Sequence, residues 1–264
     1  MDLKKAERVS VEAAKTVGAL MRRHLASEKH ANSVTQFDIK LELDVRCQKI
    51  IERRLHAAFP SVALLGEEGD TGNAEGDYRW VVDPIDGTVN FSYGIPHACV
   101  SIALQGRSTA RQPTYADGYD TLVGVVYDPF CQELWTARKG EPARLNGRKI
   151  RVSRRRDLQE AMLAIGFAKT RETLMSTLPY FNRLVKRVRK IRNMGSAALA
   201  LTYVASGRFD AYIERGISLW DIAAGGFIVE RAGGEFFRRG NADHRTYRMV
   251  ASNGLLRKKL RVPD

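Results

Sequence analysis

Apolar residues recur at helical spacing at the start of the chain. Val9, Ala13, Val17, Leu20 and Met21 share one face of residues 3–25, with Lys and Arg on the other, which predicts an amphipathic helix. A second stripe of Cys47, Ile50, Ile51, Leu55 and Ala58 predicts a helix from Leu43 to Phe59, ended by Pro60. The period then changes. SVALLGEEG reads as a short strand entering a glycine turn, and YRWVVD, HACVSIALQ, LVGVVYDP, QELWTAR and RKIRVS follow as strands separated by turn residues. Several are continuous apolar runs, as expected for strands buried on both faces. Between Gln105 and Leu122 the polar, aperiodic GRSTARQPTYADGYDT predicts an exposed, mobile loop.

Beyond it, AMLAIGF predicts a strand, residues 177–190 a helix, GSAALALTYVAS a helix over 195–206, and FDAYIE a strand. LWDIAAGGFIVERAG predicts a helix stopped by Gly233 and Gly234, then EFFRR and YRMVAS predict strands and NGLLRKKL a closing helix. Helices, then strands, then alternating strand and helix predict an α+β fold of stacked layers rather than a doubly wound sheet. With 264 residues, 44% of them hydrophobic, the chain can bury a sizeable core.

Composition removes several function classes. No window approaches the roughly 18 to 20 apolar residues of a membrane span, and MDLKKAERVSVEAAK lacks the apolar core of a signal peptide, so a cytoplasmic protein is expected. Cys47, Cys99 and Cys131 are odd in number and form no C-x-x-C pair, which argues against a disulfide framework or a thiolate zinc site. The histidines show no zinc-binding spacing either, so any metal would be hard and oxygen-bound. Residues 138–192 hold 17 Lys and Arg against 4 Asp and Glu, which accounts for the net charge of +13 of the whole chain. RVSRRRD and KRVRKIR are the dense runs, without the interleaved aromatics of single-strand binders. They are read as a solvated basic face, with attraction of anionic substrates or weak nucleic-acid association as the alternatives.

The acidic positions that end apolar runs carry the chemistry. Glu67 and Glu68 follow VALLG, Asp83 and Asp86 follow RWVV, and Asp221 follows ISLW. Carboxylates meeting in a cleft repel one another unless a cation compensates them, and a set of Asp and Glu without His or Cys favours Mg²⁺ over Zn²⁺. In WVVDPIDGTVNF, Pro84 fixes the backbone between the aspartates and Gly87 permits a tight bend. Both carboxylates and an intervening carbonyl such as that of Ile85 can then face one point, with Gly87 and Thr88 as a phosphate cradle. Taken alone, D-P-x-D-G-T is equally an ordinary turn sequence.

GEEG at 66–69, WVVDPIDGTVNF at 80–91 and LWDIAAGG at 219–226, in that order, closely resemble the three signatures of the inositol monophosphatase family of Mg²⁺-dependent phosphatases. GVVYDP, NGRKIRVS, GSAA and FDAYIE extend the resemblance over nearly the whole chain. It implies an α-β-α-β-α sandwich in one domain over residues 1–264, with residues 1–153 carrying the metal site and 154–264 closing the cleft. It also implies that Glu67, Asp83 and the Ile85 carbonyl hold a first Mg²⁺ and that Asp83, Asp86 and Asp221 surround a second, with a third described near Glu67. The implied reaction is hydrolysis of a phosphate monoester by a metal-activated water. Thr88 would orient that water, with Glu67 beside it and Asp44 as partner to Thr88, while the Gly87 and Thr88 amides hold the phosphate. Gly195, Ser196, Ala197, Glu214 and Asp221 match positions on the substrate side, and Glu214 would accept hydrogen bonds from a polyol ring. Asp86→Asn is expected to abolish turnover and leave the fold intact.

One departure stands at Leu41, where the family usually has a threonine three residues before the aspartate that matches Asp44. Asp44 is alternatively a helix N-terminal carboxylate complementing the dipole. The substrate implied is a small phosphorylated polyol, inositol monophosphate first, with histidinol phosphate, fructose bisphosphate and 3′-phosphoadenosine 5′-phosphate as alternatives within the family. An RNA-associated regulatory protein on the same fold is the reading from another class. Lithium inhibition and a homodimer follow from the resemblance alone.

Overall fold

The computed structural model describes residues 1–27, 30–34, 39–73, 76–110, 114–167, 171–241 and 246–260. The chain opens with α1 (Leu3–His24), whose first turn is capped by the Asp2 carboxylate accepting from Lys5 N at 2.9 Å. A short antiparallel pair, β1 (Ala31–Val34) and β2 (Ile39–Leu41), leads into α2 (Glu42–Ala58). Then come β3 (Ala63–Gly66), β4 (Tyr78–Asp86), the five-residue helix α3 (Thr88–Ser92), β5 (Cys99–Arg107), β6 (Tyr119–Asp128), β7 (Glu133–Arg138), β8 (Arg144–Leu145) and β9 (Arg148–Lys149). The second half runs β10 (Met162–Ile165), α4 (Arg171–Leu184), β11 (Lys190–Arg192), α5 (Ala197–Ala205), β12 (Ala211–Ser218), α6 (Leu219–Arg231), β13 (Glu235–Gly240), β14 (Thr246–Ser252) and α7 (Arg257–Leu260).

Strands β3 to β9 form one sheet in chain order, antiparallel except for the parallel β3–β4 pair. The smaller sheet has the order β11-β10-β12-β14-β13, parallel from β11 to β12 and antiparallel beyond. Helices α1 and α2 cover one face of the large sheet, with Val17, Met21, Ile51 and Leu55 against Trp80, Val82, Ile102 and Val125. Helices α5 and α6 fill the space between the sheets, packing Leu199, Ile222 and Ile228 among Val81, Val126 and Trp135 on one side and Tyr212, Met249 and Ala251 on the other. The outer face of the small sheet buries Leu163, Ile213 and Val250 under Tyr180, Leu184 and Leu260. The order of layers is α-β-α-β-α.

That layering explains the continuous apolar strands. Side chains alternate across a strand, so Trp80 and Val82 of β4 meet α1 and α2 while Val81 meets the inner helices. Both faces are covered and both must be apolar until Asp83 interrupts the run. The inner helix comes close: a Cβ on Gly124 of β6 would lie 2.8 Å from the Ala224 carbonyl oxygen of α6.

Three local expectations are corrected. RKIRVS contributes only the two residues of β9, and residues 150–157 carry no regular structure. The second-half helix spans Arg171–Leu184 rather than 177–190, because residues 190–192 pair with β10. The segment between β5 and β6 is exposed at Thr109, Ala110 and Ala116 as expected, but not throughout: Tyr115 is fully buried with its ring 5.6 Å from that of Tyr247, and Asp117 meets the buried Arg79 at 2.5 Å. Its residues 111–113, and residues 168–170 of the basic segment, lie outside the described residues.

Candidate active site

Seven elements meet at one cavity of about 190 Å³, lined by residues on or beside β3, β4, α3, β10, α5, β12 and α6. From the large sheet, β3 delivers Glu67 one residue past its end, and β4 delivers Asp83, Ile85 and Asp86 where its pairing with β5 shifts register between Asp83 and Asp86. That irregularity follows from Pro84, which has no N–H to give a ladder. Gly87 then turns the chain into α3 with φ +94°, a left-handed conformation that suits glycine. A Cβ there would also lie 2.9 Å from the His97 carbonyl oxygen. From the inner layer, α6 presents Asp221 in its first turn, where Asp221 Oδ2 accepts from Ser218 N at 3.0 Å.

Asp83, Asp86 and Asp221 each offer a carboxylate oxygen, and these oxygens lie within 4.8 Å of one another. Burial first, then the charges of Glu67, Asp86 and Asp221, hold Asp83 well above the usual carboxylate range, and its carboxyl also shares a hydrogen bond with Glu67. A hydrogen bond between two carboxyl groups needs a proton between them, which is how such a cluster relieves its charge without a cation. Asp83 Oδ1 meanwhile accepts from Ile85 N at 3.0 Å, and the Thr88 hydroxyl donates to the Ile85 carbonyl at 2.8 Å.

Asp86 is tied to α5. Its Oδ2 accepts from Ser196 Oγ at 2.6 Å and Ala198 N at 2.7 Å, and its Oδ1 accepts from Ala197 N at 3.2 Å. Burial raises its pKa, and those donors, with the Cys99 thiol at 3.7 Å, pull it part of the way back. Glu214 and Tyr212 enter from β12, and Gly195, Ser196 and Ala197 from the start of α5. The residues to which the family resemblance gives a role thus line one cavity, with one exception, and Glu68, named only for following an apolar run, does not line it either. The exception is Asp44. Buried at the third position of α2, it accepts from Leu41 N at 2.8 Å, the helix-terminal role open to it from sequence, in a turn whose β2 packs against α3.

Sequence reading assigned no role to Asn90, Tyr212 or Gly166. Asn90 Nδ2 donates to the carbonyls of His97 at 2.9 Å and Met194 at 2.8 Å, stapling the segment before α5 to α3. Its only sequence signal was a place inside WVVDPIDGTVNF, since the partner lies 104 residues away.

Three carboxylates, two of them buried, gathered at the meeting of two sheets form a cluster that could hold a metal ion. The profile of the Inositol monophosphatase family matches residues 2–262, and the chain belongs to that family. It is similar to a Nus factor SuhB of Xylella fastidiosa, 41% identical over 236 residues that cover 88% of this chain and 81% of that one. Inositol monophosphatase 1 of Solanum lycopersicum is 38% identical over 256 residues, covering 93% of this chain and 89% of that one. Among solved structures, the extragenic suppressor protein suhB of Bartonella henselae superposes with a TM-score of 0.86 at 34% identity, covering 96% of this chain and 95% of that chain.

Proposed function

We propose that this protein is a Mg²⁺-dependent phosphatase that hydrolyses the phosphate monoester of a small polyol, inositol monophosphate before others. The observation that carries the proposal is the triad of Asp83, Asp86 and Asp221 with ligand oxygens within 4.8 Å, the first two buried and Asp221 half-buried, with Asp83 held above the usual carboxylate range. An all-oxygen donor set of this kind fits Mg²⁺. Glu67, Asp83 and the Ile85 carbonyl would hold one ion, and Asp83, Asp86 and Asp221 another. When bound there, such ions would supply charge neutralisation for the phosphate and acidify a water so that it can attack at neutral pH.

The chain's own groups supply orientation. The Thr88 proton is committed to the Ile85 carbonyl, so its hydroxyl oxygen is left to accept a hydrogen bond and would orient a water by accepting one of its protons. A carbonyl has two lone pairs, so Ile85 can serve Thr88 and a cation together. Gly87, Thr88, Ser196, Ala197 and Glu214 all line the cavity; in this reading the Gly87 and Thr88 amides would hold the phosphate, and Ser196, Ala197 and Glu214 would face the leaving group.

Among the described lining residues are five carboxylates, Glu67, Asp83, Asp86, Glu214 and Asp221, and no Lys, Arg or His. A second phosphate on the leaving group would meet Glu214 rather than a cation. This supports inositol or histidinol monophosphate over fructose bisphosphate and 3′-phosphoadenosine 5′-phosphate. A screen of phosphate release over those four esters, with Mg²⁺ and with chelator, tests the proposal. We expect cation-dependent release, fastest from the monophosphates; release from none, or release indifferent to chelation, overturns it.

A second reading concerns the basic face. Relatives are named Nus factor SuhB, and Arg148, Lys149, Arg151, Arg154, Arg156, Lys190 and Arg192 are exposed. We propose that this face binds a polyanion such as RNA through phosphate contacts. Retention on RNA should fall steeply with salt and survive Asp83→Asn; salt-independent retention, or none, removes this reading.

A further inference from the structure

Strand β12 carries Tyr212 and Glu214 two residues apart, so their side chains leave the same face, and both line the cavity. The Tyr212 hydroxyl donates to Glu214 Oε2. Its side chain is 3% exposed. Burial first, then the charge of Glu214 and the hydrogen bond to it, push the phenol well above the usual tyrosine value, so at neutral pH it remains a donor. On the other side stands β10, parallel to β12, with Ile165 opposite Ile213 and Gly166 N donating to the Ile213 carbonyl at 3.0 Å. A Cβ on Gly166 would collide with Glu214 Oε2 and lie 2.7 Å from Oε1. The carboxylate therefore lies between a fixed hydroxyl and a bare Cα, and no side chain at 166 is compatible with its position.

We propose that Tyr212 and Gly166 are positioning residues that set the preference for leaving groups bearing hydroxyls, acting through Glu214. This rests on reading the cavity as a phosphomonoesterase site. A glutamate free to sample rotamers loses that freedom when it binds a substrate hydroxyl. Here the order is built in before substrate arrives, so a polyol gains affinity that an aryl alcohol without hydroxyls does not. Both residues act on Glu214 rather than on Gly87 or Thr88, so the effect expected is on binding of the leaving group and not on bond cleavage.

The test compares myo-inositol 1-phosphate with 4-nitrophenyl phosphate. Tyr212→Phe keeps the ring and removes the donor. We expect KM for the inositol ester to rise about tenfold with kcat changed less than about twofold, the size of one lost hydrogen bond to a charged group. The ratio of kcat/KM for the inositol ester to that for the aryl ester should fall by a similar factor. In a Glu214→Ala background Tyr212→Phe should shift that ratio no further, because a residue that acts through another is silent without it. Gly166→Ala, with its melting temperature measured alongside, should lower the ratio at least as much as Tyr212→Phe. An equal loss on both substrates, or the same shift with and without Glu214, overturns the inference and leaves the phosphatase reading standing. Wild-type protein that hydrolyses neither ester overturns both.

Discussion

At the scale of single residues, side chains that do not line the cavity bear on it. Leu41 stands at the N-cap of α2, where the family's usual threonine would offer its hydroxyl to the helix, and here it is buried among the residues under the large sheet. A cap hydroxyl is worth about 1 kcal/mol and burial of a leucine about 1.5–3 kcal/mol. Leu41→Thr should therefore destabilise the protein, by about 1 kcal/mol in urea unfolding; a stabilised variant would show that the cap outweighs the core contact. Asn90 holds two carbonyls with one amide nitrogen, and its amide packs where a Cβ on Gly195 would be, 2.9 Å away. Asn90→Ala strands both carbonyls at a cost of about 2 kcal/mol and loosens Gly195 beside the cavity. KM for inositol 1-phosphate should rise with it, and an unchanged KM would separate the staple from binding. Asp83, Pro84, Asp86 and Gly87 were legible from sequence because they act on one another across a few residues. Asn90, Gly166 and Tyr212 take their meaning from other strands and helices, and no local pattern announces them.

Secondary-structure elements are tied together through the same groups. Asp86, at the end of β4, accepts from the Ala197 and Ala198 amides and the Ser196 hydroxyl, so a carboxylate of the site also caps α5. Sequence alone suggested that Asp86→Asn would leave the fold intact. In the structure one of its oxygens faces the Ala197 N–H, and an asparagine N–H₂ placed there would oppose a donor with a donor. We expect Asp86→Asn to lose about 1–2 kcal/mol of stability in thermal unfolding as well as activity; full stability would show that Asp86 acts on the cation alone. The long apolar strands and amphipathic helices were legible because their period matches their burial. The segment between β5 and β6 was not, since its polar composition hides two anchors, Tyr115 against Tyr247 and Asp117 against Arg79. The second-half helix was misplaced because the strand that follows it, β11, is three residues long and edge-exposed, too short to show alternation.

Across the whole molecule, charge is divided between a basic segment and an acidic cavity. The net charge of +13 draws anions to the protein, while the cavity's carboxylates repel one another unless a proton or a cation compensates them. That repulsion couples stability to pH. The ordinary value for Asp83 is 3.8, and the folded protein holds it well above that. Between the two values the folded state keeps a proton that the unfolded state has lost, so stability falls as pH rises through this window. Cation-free protein should melt lower at about pH 7.5 than at about pH 5, and Asp83→Asn should flatten the difference. Mg²⁺ should raise the melting temperature more at the higher pH, where the carboxylates are ionised and compete for it without protons; an equal shift at both would dissociate the cluster from the cation.

The central claim is that this acidic cluster, when loaded with a divalent cation, hydrolyses a phosphate monoester. Asp83 is the residue to change, because an asparagine can still accept from Ile85 N and donate to Glu67, which spares the fold. The decisive measurement is phosphate release from inositol 1-phosphate against Mg²⁺ concentration for wild-type protein and Asp83→Asn. The account predicts saturable Mg²⁺-dependent release by the wild type and a fall of about a thousandfold in the folded variant, the scale of removing a main electrostatic contribution to catalysis. Release that ignores Mg²⁺, or a folded Asp83→Asn that turns over like the wild type, would contradict it.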